Sequence, residues 1–208
     1  CFASYESLPP IPEAMFQGTL DWLIASDKTL VEEERPYGAT SEARAERLIQ
    51  VKKISGKAHE LGLTIPTAFF KLMNSLELQN LIPSCTDCYF ALSEMAPCPG
   101  TKENYIIRFL NDSQGCILWY LYLTPQGNHY VLASPLWLDM LHEPDYFDPS
   151  LTEEQILKSI SICALSFEEF LYRFWLENVL WYKLVWFKGQ KPLTEEEQRY
   201  VEHYKRGK

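Results

Sequence analysis

Residues 105–133 decide the fold, and they read YIIRFLNDSQGCILWYLYLTPQGNHYVLA. Three runs rich in β-branched and aromatic residues are separated by two breaks, NDSQG at 111–115 and TPQG at 124–127. Both breaks consist of turn-forming residues, so the pattern predicts consecutive antiparallel strands joined by short turns. A further short run of the same kind, YFAL at 89–92, extends the predicted meander toward the N-terminus.

The middle run, from Cys116 to Leu123, is apolar at both odd and even positions. A strand with one face in water alternates apolar and polar residues. This run does not alternate, so we expect a central strand that is covered on both sides. Its two faces carry, respectively, Ile117, Trp119, Leu121 and Leu123, and Leu118, Tyr120 and Tyr122.

Helices are predicted before these strands. Apolar residues recur at spacings of three and four in a helix that begins near Ser41 and ends at Gly62, where a C-cap glycine belongs. A second helix begins at Pro66, a residue type suited to the first helical position. The apolar positions of the two helices are Leu48, Val51, Ile54, Ala58 and Leu61, then Ala68, Phe69, Leu72 and Met73.

Helices are also predicted after the strands. Ser166 and Glu169 form a capping-box signature at the start of a helix whose broad aromatic stripe indicates core packing. Thr194 and Glu197 give the same signature for a short polar C-terminal helix. Because βαβ alternation is absent, the order indicates an α+β fold, a mostly antiparallel sheet meander with flanking N- and C-terminal helices.

The chain has 208 residues and a net charge of −9, from 28 acidic and 19 basic side chains. An acidic chain is poorly suited to a nucleic-acid backbone or an anionic membrane surface, and it favours a basic partner, although solubility alone also produces acidic proteins. Charge is segregated: residues 183–208 hold seven basic and four acidic side chains, so residues 1–182 carry −12.

The longest apolar runs, at 115–123 and 179–187, are far shorter than the ~20 residues of a membrane-spanning helix. Six cysteines are too few for a disulfide scaffold, which predicts a reducing, cytoplasmic location. Nucleophile-elbow, Walker and dinucleotide-binding motifs are absent from the sequence, so we expect a chain that is not an enzyme.

Cys85-Thr86-Asp87-Cys88 is the sharpest local motif. A redox pair would lie at a helix N-terminus, whereas a strand pattern follows here. A zinc site would need a second ligand pair, and only single residues such as Cys98 and Cys116 or a histidine are available. The favoured interpretation is therefore small, partly buried thiols, with no metal and no cofactor.

Residues 139–154 contain six carboxylates and no lysine or arginine, with two aromatic residues in their middle. Carboxylates around exposed aromatics suit a docking surface for a basic protein, because charge orients the partner and aromatics supply buried area. The alternative is a solvated loop whose aromatics pack into the core. The candidate partner-binding residues are Asp139, Glu143, Asp145, Tyr146, Phe147 and Asp148.

Four motifs, in this order, resemble those of the SUKH superfamily. They are AHELGLTIPTAFFKL at 58–72, YIIRFLND at 105–112, WYLYL at 119–123 and ALSFEEFL at 164–171. The resemblance covers about residues 41–185. It implies a SUKH-like α+β domain over 41–188, between an N-terminal extension at 1–40 and a C-terminal helical tail at 189–208.

The resemblance also implies a function. SUKH members are mostly binding modules without a fixed catalytic motif; bacterial members commonly act as immunity proteins against polymorphic toxins, often nucleases. Our leading hypothesis is an immunity protein that neutralises a basic toxin domain by stoichiometric occlusion. The alternatives are a regulatory scaffold of the same fold in cell-wall or signalling control, and a zinc or redox protein that uses Cys85, Cys88 and Cys98.

Overall fold

The computed structural model describes residues 11–26, 41–143, 145–146 and 148–206. Within them lie seven α-helices and six β-strands, together with single turns of 3₁₀-helix at Glu13–Phe16 and Leu138–Met140 and a π-helical turn at Tyr182–Trp186. The helices are α1 (Asp21–Ile24), α2 (Ser41–Glu60), α3 (Thr67–Met73), α4 (Leu76–Asn80), α5 (Glu153–Lys158), α6 (Phe167–Trp181) and α7 (Glu195–Arg206). The strands are β1 (Tyr89–Phe90), β2 (Ala96–Pro97), β3 (Tyr105–Asn111), β4 (Leu118–Leu123), β5 (His129–Ser134) and β6 (Ser161–Ala164).

The strands form one antiparallel sheet in the order β1-β3-β4-β5-β6, and β2 also pairs with β3. Strand β4 is central, and all its residues except Tyr122 are buried. The prediction of an α+β fold with a mostly antiparallel meander is therefore confirmed. The pattern analysis missed β2, which is only two residues long, and β6, whose first two residues are exposed.

Two hydrophobic clusters lie on opposite faces of the sheet, because successive residues of a strand point to opposite sides. The first contains Ile107, Trp119 and Leu121 and joins the sheet to α2, α3 and α6. The second contains Ile106, Tyr120 and Leu132 and joins the sheet to residues 136–160, which include α5. A register shift between Arg108 and Leu110 places both Phe109 and Leu110 in the first cluster.

Several predicted helix ends are confirmed. The Leu63 and Gly62 amides donate to the carbonyls of Ala58 and His59, at 2.8 and 3.1 Å, and Gly62 has a φ of +67°. This Schellman geometry ends α2 where the glycine predicted. Pro66 is the N-cap of α3 and not its first residue, so that prediction is wrong by one position.

The starts of α6 and α7 follow the predicted capping signatures. Ser166 Oγ accepts from the Glu169 amide at 3.0 Å, but the Glu169 carboxylate accepts from the Leu165 amide, one residue before the cap. Thr194 and Glu197 exchange both hydrogen bonds of a capping box, at 2.8 and 3.2 Å. No helix in the described part of the chain is long and apolar enough to cross a membrane.

The described flanking segments pack against the sheet domain. Leu20 and Leu23 belong to the first cluster, whereas Tyr200 of α7 packs with Tyr172 and Leu176 of α6 in a third cluster. Gly18, with a φ of +66°, separates the turn at Glu13–Phe16 from α1. Residues 11–26 therefore contain two short helical pieces.

Candidate functional site

A buried arginine on the second face of the sheet anchors the candidate docking loop. Arg108 of β3 is 8% exposed. Its Nε lies 3.2 Å from each carboxylate oxygen of Asp139, its Nη2 donates to the same carboxylate at 3.2 Å, and its Nη1 donates to Asn111 Oδ1 at 3.0 Å. The fork of the guanidinium matches the carboxylate, which suits a buried ion pair.

Asp139 is therefore not part of an exposed docking surface. The sequence predicted it as one of the partner-binding carboxylates, but its side chain is only 3% exposed. Its charge is compensated inside the protein by Arg108. We correct its role from partner contact to an internal anchor of the loop.

A cation–π contact and a tilted aromatic pair connect this anchor to the protein surface. The Arg108 guanidinium carbon lies 4.4 Å from the ring centroid of Trp137, and the Trp137 and Tyr146 ring centroids are 5.4 Å apart. Tyr146 is 51% exposed. These contacts thus lead from a buried cation, through a half-buried indole, to a phenol that faces solvent.

The backbone next to Trp137 is held by a buried tyrosine. The Tyr120 hydroxyl donates to the Leu136 carbonyl at 2.8 Å and accepts from the Leu138 amide at 3.1 Å. Burial, and then the negative charge of Asp139, raise the pKa of Tyr120 above its ordinary value. The phenol therefore keeps the proton that it donates. Ser134 Oγ accepts from the Leu136 amide at 3.1 Å and adds a second attachment.

Exposed carboxylates lie on both sides of Tyr146 in the sequence of the same loop. We define the acidic–aromatic surface as Glu143, Asp145, Tyr146 and Asp148, all of which are exposed. The side chain and backbone amide of Ser150 donate to Asp148 and lower its pKa, so this group stays ionised at neutral pH. Residues 136–157 contain no lysine or arginine to neutralise these charges in sequence.

The structure brings together four of the six predicted partner-binding residues. Glu143, Asp145, Tyr146 and Asp148 form the acidic–aromatic surface, Asp139 lies beneath it, and Phe147 lies outside the described residues. Sequence analysis missed the two supports, Arg108 and Trp137. The available signal was an arginine inside an otherwise apolar strand run, which is a sign of a buried charge that needs a partner.

The cysteines of the alternative zinc or redox interpretation do not come together in one site. Cys88 belongs to the first hydrophobic cluster and Cys98 to the second, so the sheet lies between them, while Cys116 is exposed. Burial raises the pKa of Cys98 to about 11 and also raises that of Cys85. Among the described residues there is no group of three or more His, Cys, Asp or Glu side chains that could hold a metal ion.

The arrangement of the acidic–aromatic surface is suited to holding another macromolecule. Comparison of the chain with protein-family models, with curated proteins and with solved structures finds no match.

Proposed function

We propose that this chain is a non-enzymatic protein-binding domain, and that it acts as an immunity protein that neutralises a basic toxin domain by stoichiometric occlusion. One observation carries the proposal: the exposed ring of Tyr146 packs on Trp137, and the exposed carboxylates of Glu143, Asp145 and Asp148 lie within three residues of it in the same loop. This combination places a large amphipathic side chain in an exposed loop that is rich in negative charge.

The contact of Tyr146 with Trp137 favours tight binding. Tyrosine and tryptophan are enriched among the few residues that dominate interface energies. A ring already held in place loses less conformational freedom when a partner binds, so more of its contact energy appears as affinity. The hydrogen bonds from Tyr120 to the loop backbone serve the same end, because they hold the loop before binding.

The charge of the surface favours a basic partner. Opposite charges on two partners accelerate their encounter and select the orientation in which they dock. Residues 1–182 carry a net charge of −12, so the field of the whole body adds to that of the local carboxylates. A toxin that binds nucleic acid through a basic cleft would meet, in this surface, a substitute for the phosphate backbone.

The test is co-expression with the toxin encoded beside this chain's gene, followed by binding kinetics with the purified toxin domain. We expect the wild type to restore growth and to bind in a one-to-one complex. Tyr146→Ala is expected to raise Kd by about 30-fold through faster dissociation, as for loss of a central aromatic contact. Glu143→Lys/Asp145→Lys is expected to lower the association rate and its dependence on salt.

The matched control is Glu46→Lys/Glu60→Lys, which makes the same charge change on α2. This helix packs on the first face of the sheet, away from the acidic–aromatic surface. The control variant should retain rescue and affinity close to the wild type. Equal losses in both double variants would reject this surface as the binding site. Lack of rescue, combined with Tyr146-dependent binding of a cell-wall or signalling enzyme, would instead assign the regulatory scaffold.

A further inference from the structure

At the end of α6 a charged side chain is buried, while the apolar side chains next to it in sequence are exposed to solvent. In the π-helical turn Tyr182–Trp186, Lys183 is 6% exposed, whereas Leu184, Val185 and Trp186 are 42%, 55% and 64% exposed. The Lys183 ammonium lies 2.8 Å from each carboxylate oxygen of Glu197 in α7. Folding alone does not require three consecutive large apolar side chains to be exposed to water, so they indicate an interaction surface. A π-helical turn is also frequent at functional sites.

These apolar side chains border a groove of about 440 Å³ between the π-helical turn and α7. Leu180 and Trp181 line it on one side, and Val201 and Tyr204 line it on the other. The apolar lining residues are Leu180, Trp181, Leu184, Val185, Val201 and Tyr204; we call this feature the C-terminal groove. The Trp186 ring, 6.5 Å from that of Trp181, extends the apolar surface beyond the groove.

The walls of the C-terminal groove are held together before any partner binds. The buried Lys183–Glu197 pair joins the π-helical turn to the start of α7. The Tyr200 hydroxyl donates to the Glu177 carboxylate at 2.6 Å and joins α7 to α6. A groove with fixed walls can accept side chains without first reorganising.

The segment that supplies most of the lining of the C-terminal groove, residues 183–208, is net basic, unlike the acidic–aromatic surface. Lys205 lines the groove and is exposed, and Lys188 is exposed just after the π-helical turn. The Lys191 ammonium lies 4.6 Å from the ring centroid of Phe187. Glu177, the lining carboxylate, already accepts the Tyr200 hydrogen bond. Residues 183–208 carry a net charge of +3, although the whole chain is acidic.

We propose that the C-terminal groove is a second docking site, and that it binds an acidic amphipathic helix of a partner protein. Such a helix inserts apolar side chains from successive turns between α6 and α7, as in other helix-in-groove complexes. Its carboxylates face Lys205, the exposed ammonium group of the groove lining. This site does not depend on the acidic–aromatic surface, because a different part of the chain forms it and the opposite charge selects its ligand.

The experiment uses a fluorescent synthetic helix of about four turns, with leucine and phenylalanine on one face and glutamate elsewhere. A second peptide replaces every glutamate with lysine. Anisotropy at low salt should show binding of the acidic peptide, with at least about tenfold weaker binding of the basic one. Trp186→Ser and Val185→Ser should each weaken binding of the acidic peptide at least about tenfold. Lys205→Glu should selectively weaken binding of the acidic peptide.

Two controls separate this proposal from the proposed function. Leu165→Ser removes another exposed apolar side chain, 69% exposed, that lies outside the groove, and should leave peptide binding unchanged. Tyr146→Ala should also leave it unchanged, while it impairs toxin binding. If Trp186→Ser reduces folding, Lys205→Glu still tests the charge requirement, because Lys205 is exposed.

Four results would overturn the proposal. They are failure of the acidic peptide to bind, equal binding of both peptides, concentration-dependent dimerisation that Val185→Ser abolishes, and Trp186-dependent adsorption to anionic phospholipid vesicles. The third would show that a second copy of the chain covers the groove, and the fourth that a lipid surface does. Analytical ultracentrifugation and vesicle sedimentation distinguish these last two.

Discussion

Arg108 and Asp139 form an ion pair in the interior, with side chains that are 10% and 3% exposed. The pair joins strand β3 to the turn at Leu138–Met140, and the same guanidinium supports Trp137 beneath Tyr146. The stability of the sheet and the position of the acidic–aromatic surface are thus linked through one side chain.

Removing one member of this ion pair should strongly destabilise the folded protein. Asp139→Ala leaves the Arg108 charge buried without its carboxylate, and we expect it to lower the free energy of unfolding by about 3–5 kcal/mol. Urea unfolding followed by tryptophan fluorescence measures this change. Asp145→Ala, an exposed carboxylate in the same loop, is the control and should change stability by no more than about 0.5 kcal/mol.

The double variant Arg108→Met/Asp139→Leu distinguishes the cost of an unpaired charge from the net value of the pair. Apolar replacements of both partners are often neutral or stabilising, so the double variant should lose less stability than Asp139→Ala. Equal or greater loss would mean that the pair itself is strongly stabilising, contrary to this account.

The Lys183–Glu197 pair should hold α7 to the rest of the domain. Glu197→Ala leaves the Lys183 ammonium buried and also removes the acceptor of the Thr194 amide. We expect faster hydrogen exchange across Glu195–Arg206, with exchange in β3–β5 little changed. Glu195 is an exposed carboxylate of the same first turn, and Glu195→Ala should lower the free energy of unfolding by less than about 1 kcal/mol. Equally faster hydrogen exchange throughout the sheet would contradict a local role for the Lys183–Glu197 pair.

Alkaline pH should destabilise the protein through its buried tyrosines. Burial raises the pKa of Tyr120 above its ordinary value of 10. The unfolded chain therefore releases this proton at lower pH than the folded one, and the stability present below pH 10 is lost as pH rises above it. Urea unfolding at pH 8, 10 and 11 should show this decline.

Tyr120→Phe separates the hydrogen bonds of the phenol from its titration. At pH 8 the variant should be about 1–3 kcal/mol less stable, because the Leu136 carbonyl and the Leu138 amide lose their partner. Above pH 10 its stability should fall less steeply than that of the wild type. The slope should not vanish, since burial also raises the pKa of Tyr172 and Tyr200. Parallel declines in both proteins would reject the role of Tyr120 in the alkaline transition.

The described cysteines should react with alkylating reagents in a definite order. The pKa values of Cys98 and Cys163 are raised by burial to about 11, which leaves little reactive thiolate at pH 8, whereas Cys116 is exposed. With limiting iodoacetamide, peptide mass spectrometry should find Cys116 modified well before Cys98 or Cys163. In urea the three rates should converge. Equal rates in the native protein would contradict the burial of the two thiols.

Local sequence patterns were sufficient to predict the fold class. Turn residues at 111–115 and 124–127 marked the strand ends. The apolar residues at both odd and even positions of 116–123 predicted the central position of β4. Capping residues such as Gly62 and Ser166 also acted locally, because their hydrogen bonds join groups only a few residues apart. The short strand β2 and the partly exposed strand β6 carried too weak a pattern to be recognised.

The sequence by itself determined the composition of the candidate docking loop: its carboxylates, its aromatics and its lack of basic residues. Only the tertiary structure decided that Asp139 is buried against Arg108, 31 residues away, while Tyr146 is exposed. It likewise buried Lys183 against Glu197 and left Trp186 in solvent. The physical reason is that a charged side chain can be buried only beside a compensating charge. In both pairs a distant part of the chain supplies this compensating charge, and no local sequence pattern reveals it.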